Sequence, residues 1–360
     1  MLVQTAPIHG LRRTDYDALL GKGWFRGTGI IYRSEVVCID EQVYGIRNIR
    51  FPVRSFSMRR SHAKLFRKNM KRFTLRVGTP RVDARREELY RGQMHRFKAF
   101  VHETLEDILL SPRMGAEIDA MEIGVYDGEK LVAVSYIDAG ESSMASILCL
   151  YDPAYARFSL GTFTMLLEID MAKRLGLDYY YPGYVLDLPS GFDYKLELGP
   201  CEWLHKEDGW NWLEATAEEG KASIIRGKMD ELEAVLKATG RSWEKMIYPY
   251  YTLGHLIHER TDLVRVPAFW VTHISGHVAG ISYDIQLDHY VAFDLNEALE
   301  LDHLHQLKLS NDYLKGHSYV LQTLSYNHFV TLRDEHVAGD LNDFMVKLED
   351  SYTIPIVHSK

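Results

Sequence analysis

SYIDAGESSMASILCLYDPAYARFSLGTFTMLLEIDMAKRLGLDYYYPGY (Ser135–Tyr184), continued after a short gap by GFDYK (Gly191–Lys195), reads as one supersecondary unit with polar aromatics and small residues at its joints. Alternating apolar segments at Leu131–Ile137 and Ser146–Leu150 flank the turn residues Ala139–Ser143, which is the pattern of an antiparallel hairpin. A helix follows. Ser159 stands at the expected N-cap, Phe163, Leu166, Leu167, Ile169, Ala172 and Leu175 recur near helical period, and Gly176 ends the run. The next strand, Leu177–Tyr181, breaks at Pro182-Gly183.

Upstream of this unit the pattern predicts short strands at Ile30–Tyr32 and Val43–Ile46 and a basic helix at Met58–Met70. A strand at Phe73–Val77, a long helix or helix pair at Ala84–Leu110, and strands at Met121–Tyr126 and Met144–Leu150 complete the approach, with turns at Asp127-Gly128 and Ala139-Gly140. Strand, strand, helix, strand is the central order of the GNAT acyltransferase fold, whose sheet splays at the strand ends to admit an acyl donor. The fold class expected is therefore α+β, a GNAT-like mixed sheet flanked by helices. Downstream, residues 216–240 form an amphipathic helix stopped by Gly240, and strands at Val266–Ile274 and Ala279–Ile285 follow. The expected organisation is a basic N-terminal module over 1–70, the acyl-transfer domain over 71–212 and a C-terminal α+β extension over 213–360.

A chain of 360 residues that is 46% hydrophobic has enough apolar surface for two or three domains with real cores, and is not a disordered chain. No apolar run reaches bilayer-spanning length and the N-terminus lacks a signal-peptide core, so a cytoplasmic protein without a membrane partner is expected. Three cysteines, Cys38, Cys149 and Cys201, are too few and too scattered for a disulfide framework. Eleven of the 16 histidines lie beyond residue 250, and His255 with His258 has helical i, i+3 spacing. No cysteine accompanies them and no HExxH motif is present, so no metal site is expected.

The net charge of −8 hides an asymmetry: Arg47–Lys98 carries +14 and the remainder −22. A basic stripe on an otherwise acidic chain is the signature of a polyanion-binding surface, because phosphates are held by direct Lys/Arg contact with counterion release. Arg outnumbers Lys, and Phe51, Phe56, Phe66, Phe73, Tyr90 and Phe97 are interleaved with the charge, either as stacking surfaces for unpaired bases or as core.

YDPAYARFSLGTFTMLLEIDMAKRLGLDYYYPGYV and FDYK closely resemble the C-terminal domain of arginyl-tRNA–protein transferases. A second, collinear block supports the resemblance: DYDALLGKGWFRGTGIIYR (Asp15–Arg33), then Tyr44-Gly45-Ile46-Arg47 and FPVRSFSMRRSHAKLFRKN (Phe51–Asn69). The resemblance implies transfer of an amino acid from aminoacyl-tRNA to the N-terminal α-amine of acceptor proteins that begin with Asp or Glu, marking them for degradation. Arginine is the favoured donor on YYYPGYV and TMLLEIDMAK, with leucine the alternative. With it, the basic segment containing Arg54, Arg59, Arg60, Arg67, Lys68, Lys71 and Arg72 is expected to bind tRNA. The chain departs from the family in one respect. Relatives usually carry N-terminal cysteines able to hold an iron–sulfur cluster, whereas only Cys38 lies in that region here, and one thiolate does not supply four ligands.

Aminolysis of an activated ester requires orientation, a proton acceptor and oxyanion stabilisation, and no cofactor. The candidate proton acceptors are Asp138, Glu141 and Asp152, near the hairpin turn and the strand end. Ser142, Ser143 and Ser146 offer hydroxyls to the same opening. Tyr181, Tyr184 and Tyr194 are expected to orient substrate, with Asp193 beside them, and Lys195 to face the ester oxyanion or an acidic N-terminal side chain. Two rival readings stand beside this one. An acetyl-CoA-dependent GNAT enzyme needs R/Q-x-x-G-x-G/A ahead of the helix, and Arg157-Phe158-Ser159-Leu160-Gly161-Thr162 lacks its first and last small residues. A non-catalytic tRNA- or degron-binding homologue would account for the missing cysteines, but not for the retained SLGTFT, YPGY and DYK.

Overall fold

The structure, a computed structural model, describes residues 1–27, 30–97, 102–109, 116–205, 209–213, 220–238, 242–249, 251–256, 264–274, 277–295 and 326–331. In chain order the elements are β1 (Val3–Pro7), α1 (Arg13–Leu20), β2 (Phe25–Arg26), β3 (Ile30–Ser34), β4 (Val36–Ile39), β5 (Gln42–Pro52), α2 (Arg60–Arg72), β6 (Thr74–Gly78), α3 (Ala84–Arg91) and α4 (Leu105–Leu109). There follow β7 (Asp119–Asp127), β8 (Lys130–Ala139), β9 (Ser143–Tyr151), α5 (Leu160–Arg174), β10 (Tyr179–Tyr181), β11 (Tyr184–Leu186), β12 (Glu202–His205) and β13 (Gly209–Trp212). The chain continues through α6 (Lys221–Ala238), β14 (Glu244–Ile247), α7 (Tyr251–Leu256), β15 (Ala268–Ile274), β16 (His277–Asp284), β17 (His289–Leu295) and β18 (Tyr326–Thr331).

Two compact units divide the chain differently from the three segments expected at 70 and 212. One comprises Thr5–Ser34 and Ile46–Glu218, the other Met1–Gln4, Glu35–Gly45 and Glu219–Lys360. Residues 1–70 are thus shared between both, because β4 and the first half of β5 are sequestered by a hydrophobic cluster built mainly from α6 and β15–β17.

The first unit is a large mixed sheet flanked by helices, in the order β13-β12-β5-β10-β9-β8-β7-β6 with β11 also on β5. β6 to β9 form an antiparallel meander, turned between β7 and β8 at Gly128, whose φ of +61° suits glycine. α5 then carries the chain over the sheet so that β10 runs parallel to β9. Phe163, Leu166, Leu167, Ile169 and Ala172 of α5 are buried with Ile137, Met144 and Tyr180 from the strands. This apolar face drives the packing at about 25 cal/mol per Å² of apolar surface removed from water. Ser159 precedes α5 as expected but does not cap it with its hydroxyl. It closes the preceding 3-10 turn (Pro153–Phe158) in a left-handed conformation, φ 47° and ψ 52°, with its N–H bonded to the Ala156 carbonyl. Of the long helix or helix pair expected over Ala84–Leu110, the pair forms: α3 ends at Gly92, a 3-10 turn follows, and α4 is short.

The second unit is built on the antiparallel meander β14-β15-β16-β17-β18 with α6 packed on β15 and β16. Ala222, Ile225, Met229, Leu232 and Leu236 of α6 are buried there, as the period of the expected helix requires. Residues 216–219 and Gly240, also assigned to that helix from sequence, lie outside the described residues.

Candidate active site

β9 is a central strand, yet its pairing with β10 lasts only three residues, Tyr179 opposite Ser143, Tyr180 opposite Met144 and Tyr181 opposite Ala145. β10 then ends at Pro182-Gly183, where Gly183 takes φ +96°, and the chain moves to β5 as β11. From Ser146 onward β9 has β8 on one side only. Ser146, Ile147, Leu148 and Cys149 are accordingly half-buried, whereas Leu131–Ala139 of the neighbouring strand are all buried. A β-bulge shifts the β8/β9 register at this point, with Tyr136 opposite Leu148 and Ile137 opposite Ser146. Bulges re-aim side chains and are common next to active sites. The sheet opens at Ser146.

Beneath this opening sits a polar cluster around Glu168, a fully buried residue of α5. Its carboxylate accepts from Ser135 Oγ of β8 and from Tyr180 OH of β10 at 2.6 Å, and the Ser146 hydroxyl lies near enough to favour its anion. Burial pushes the carboxyl up to about 7, against the Ser135, Tyr180 and Ser146 donors that favour the anion. Cys149 Sγ lies 3.1 Å from Thr164 Oγ1, one helical turn before Glu168. Tyr194, in a 3-10 turn over Asp193–Leu198, brings its phenol within electrostatic reach of Glu168 and Cys149.

Lys195 lies on the same turn, beside Gly183 where β10 gives way to β11. Its Nζ donates to the Tyr184 carbonyl at 2.8 Å and lies 5.3 Å and 5.0 Å from the ring centroids of Tyr184 and Phe192, which stack on each other. Lys195 is 8% exposed and has no carboxylate in ion-pair range among the described residues. Burial lowers its ammonium to about 7. Asp193 turns away and accepts from the Ser190 N–H and hydroxyl.

Several residues selected from sequence are occupied with structural work. Asp138 lies inside β8 rather than at the turn, is 1% exposed and forms a buried ion pair with Arg26, so its carboxylate does not meet an incoming amine. Asp152 caps the 3-10 turn through the Ala154 N–H and pairs with Arg85 at 2.8 Å and Lys130 at 2.9 Å. Burial raises its proton affinity, but the Lys130, Ala154 and Arg85 hydrogen bonds outweigh that and hold its pKa below the usual carboxylate value. The Ser142 and Ser143 hydroxyls both donate to Asp17 of α1, which also accepts the N–H groups of Glu141 and Ser142 at 2.9 Å and 2.8 Å. Only glycine fits at 140, where a Cβ would collide with the Asp17 carboxylate. The Glu141 side chain is exposed. Tyr181 is 2% exposed with its hydroxyl 3.4 Å from Arg50, and the Tyr184 ring is stacked on Phe192.

Ser146 and Tyr194 therefore lie near the Glu168 cluster and Lys195 packs against the β11 segment, while Asp138, Asp152, Ser142 and Ser143 are held by other partners. Sequence reasoning missed Glu168, which sits on the buried face of an apolar helix. A carboxylate there was the available signal, since an acid on such a face demands partners. It also missed Asp17, whose partners are more than 120 residues away.

On the same unit, α2 turns Phe66 onto Phe163 of α5 at 5.7 Å and Asn69 onto the Phe158 carbonyl, leaving Arg60, Lys64, Arg67, Lys68, Lys71 and Arg72 exposed. Arg72 pairs with Asp127 at 2.6 Å and Arg54 with Asp178 at 2.9 Å. Arg59, Arg60, Lys64, Arg67 and Lys71 have no ion pair among the described residues. The interleaved aromatics resolve as core: Phe51 stacks with Phe56 and Tyr180, Phe73 with Phe158, and Tyr90 with Phe97.

The described residues do not fit an iron–sulfur cluster. Cys38 is buried in the second unit's apolar core with its thiol against the Tyr248 and Pro267 carbonyls, and burial raises its pKa. Among the described residues no three His, Cys, Asp or Glu side chains converge. His258 lies outside the described residues, and His255 is bonded to the Arg265 carbonyl. No helix among the described residues is long and apolar enough to cross a membrane.

Comparison with known proteins places this geometry. The family described as arginine-tRNA-protein transferase, C terminus, matches residues 62–205. An aspartate/glutamate leucyltransferase of Campylobacter jejuni is 31% identical over 194 residues, 52% of this chain and 79% of that protein. One from Leptospira interrogans is 29% identical over 199 residues, 53% and 75% of the two chains. Solved structures are remote. L-PGS from Bacillus licheniformis has a TM-score of 0.32 at 12% identity over 50% of this chain and 55% of that one, and FemX a TM-score of 0.34 at 9% identity over 49% and 61%. With 31% identity over 79% of the Campylobacter jejuni transferase, and a family match that takes in most of α2, the splayed strand pair and the Tyr194-Lys195 turn, the chain belongs to the aminoacyl-tRNA–protein transferase family.

Proposed function

We propose that this protein moves leucine from aminoacyl-tRNA onto the N-terminal α-amine of proteins beginning with Asp or Glu, inside a GNAT-like sheet, and so marks them for degradation. The observation that carries this reading is the parting of β9 and β10 at Ser146, with Glu168 below it and Lys195 beside Gly183 where β10 gives way to β11. The exposed cations of α2 suit the tRNA phosphates, and the charged ester would enter the opening. Lys195 suits the acidic side chain of the acceptor: a buried ammonium with a single carbonyl partner has donors left, and a carboxylate would offset its desolvation. Carboxylate binding would also draw a proton onto Lys195. Leucine is the favoured donor because the similar proteins from Campylobacter jejuni and Leptospira interrogans are named for leucine.

Arginine is the second reading, supported by the YYYPGYV and TMLLEIDMAK segments and by the description of the matching family. Incubating the purified protein with separately charged leucyl-tRNA and arginyl-tRNA, and with peptides differing only at residue one, tests both. Transfer from leucyl-tRNA to Asp and Glu peptides, and not to Ala peptides, is expected. Transfer from arginyl-tRNA alone would replace the donor, and no transfer from either would end the reading.

A further inference from the structure

We propose that Glu168 is a positioning acid for acyl transfer, which orients the Ser146 hydroxyl at the opening and receives through it the proton released when the acceptor amine attacks the ester. This inference rests on the proposed aminoacyl transfer and adds the group that handles its proton.

Two hydroxyls donate to Glu168, those of Ser135 and Tyr180, and that of Ser146 stands beside them, near enough to favour the anion. Ser135 and Tyr180 are fully buried and bond to nothing that substrate reaches. Ser146 alone is half-buried, and it is the first β9 residue after the pairing with β10 ends. It therefore lies beside the buried carboxylate at the point where the strands part. The bulge opposite Ile137 places it there. The other groups that reach the cluster are Cys149 from β9 and Tyr194 from the 3-10 turn, with Arg96 acting on both. Burial raises the Cys149 thiol and the Tyr180 phenol, so near neutral pH they stay protonated, and Glu168 is the group of the buried cluster that changes charge. Asp138, Asp152 and Asp17 are unsuited, each being held by cations or backbone N–H groups.

The step balances. The neutral amine nitrogen attacks the carbonyl carbon, forming C–N and placing negative charge on the carbonyl oxygen. A proton passes from nitrogen to Ser146 Oγ while the Ser146 proton moves to the Glu168 carboxylate. The carbonyl re-forms as the bond to the ribose oxygen breaks, and the Glu168 proton returns through Ser146 to that oxygen. The products are an amide and free tRNA, with Ser146 and Glu168 as they began. The full cycle needs no oxidant, reductant or further reactant.

The test is single-turnover transfer from pre-charged leucyl-tRNA and arginyl-tRNA to an Asp-initiated peptide, measured against pH. For the wild type the rate should rise with pH in two steps, through about 7 where Glu168 ionises and through about 8 where the acceptor α-amine loses its proton. Glu168→Gln should lower the chemical step by about 10²–10⁴-fold, the usual worth of a general base, and remove the first of these steps while the second stays, with tRNA affinity unchanged. Because Glu168 is buried, Ser146→Ala is the companion variant at a half-buried site. It should show a loss of the same kind, and Ser146→Thr, which restores a hydroxyl, should recover most of it. An active wild type whose rate and pH profile survive in Ser146→Ala, or in a folded Glu168→Gln, overturns this role alone. A wild type inert with both charged tRNAs overturns the transfer reading and this role with it.

Discussion

The two units bury different kinds of residue. In the unit built around α5, the described interior holds Arg26, Arg86, Glu122, Asp138, Glu168 and Lys195 along with Asn48, Asn69 and Gln93. In the unit built around α6, the buried polar residues described are His255, Thr272 and Ser282, within a cluster that is otherwise apolar or aromatic. Burying an ion costs several kcal/mol unless it is paired. Arg26–Asp138 and Arg86–Glu122 are paired, the latter at 2.5 Å, so these four charges have a structural account. Glu168 and Lys195 have no opposite charge and are shifted toward their neutral forms instead. Among the described residues, then, unpaired interior charge is confined to α5 and the 3-10 turn over Asp193–Leu198 that packs on it. Perturbed groups gathered in a cleft are the physical mark of a functional site.

The largest expected effect comes from breaking a paired charge. Asp138→Ala leaves Arg26 buried and alone and should cost about 3–5 kcal/mol of stability by chemical denaturation. If Thr272→Ala in the other unit costs as much, the contrast between the interiors fails. Lys195→Met should act in the opposite direction. Between about 7 and 10.5 the unfolded chain holds a proton on Lys195 that the folded chain does not, so this residue makes stability rise with pH across that window. The variant should be more stable than the wild type at pH 7, with that rise flattened, while transfer to acidic acceptors falls. Equal stability at pH 7 would mean that Lys195 is solvated.

Glu168→Gln sharpens the same contrast with the reverse sign. A raised folded-state pKa gives stability that is fully present below about 4.5 and is lost as pH rises through about 7, and the variant should remove that decline. On the surface of α2, reversing Arg59 and Arg60 to Glu should reduce the log–log salt slope of tRNA binding by about 0.9 for each phosphate that the variant no longer neutralises, with affinity most affected at low salt. An unchanged slope would relocate the tRNA surface. The smallest effect is expected at Cys38→Ser in the α6 unit. The Tyr248 and Pro267 carbonyls already face the thiol and suit a hydroxyl, so a decrease of about 1 kcal/mol or less is anticipated, with transfer intact. Iron and sulfide that disappear with that substitution would contradict it.

The sheet was legible because its apolar periods are local. Leu131–Ile137 and the α5 positions from Phe163 to Ala172 announce strand and helix within a few residues, and the structure has them there. The Pro182-Gly183 break foretold the end of β10. The two-unit division was not legible, since β4 and the start of β5 are claimed by α6, some 180 residues later. Of the proposed site, Ser146, Tyr194 and Lys195 were named through the segment that carries the family resemblance. Asp138 misled because a carboxylate near a turn looks exposed until Arg26, distant in sequence, is folded against it.

The Asp17 clamp bears on the order of folding. One carboxylate of the N-terminal helix α1 gathers two N–H groups and two hydroxyls of the β8–β9 turn, across 124 to 126 positions of chain. A hairpin normally closes from its own turn in microseconds, but this one is completed by a group synthesised long before it. During translation α1 emerges first and waits, and the turn is captured only when β8 and β9 have both left the ribosome. Such sequence-distant contacts slow folding, because loop closure must precede their reward. Asp17 thus couples the completion of the β8–β9 turn to α1, so a chain lacking that helix would form the strands without fixing their junction.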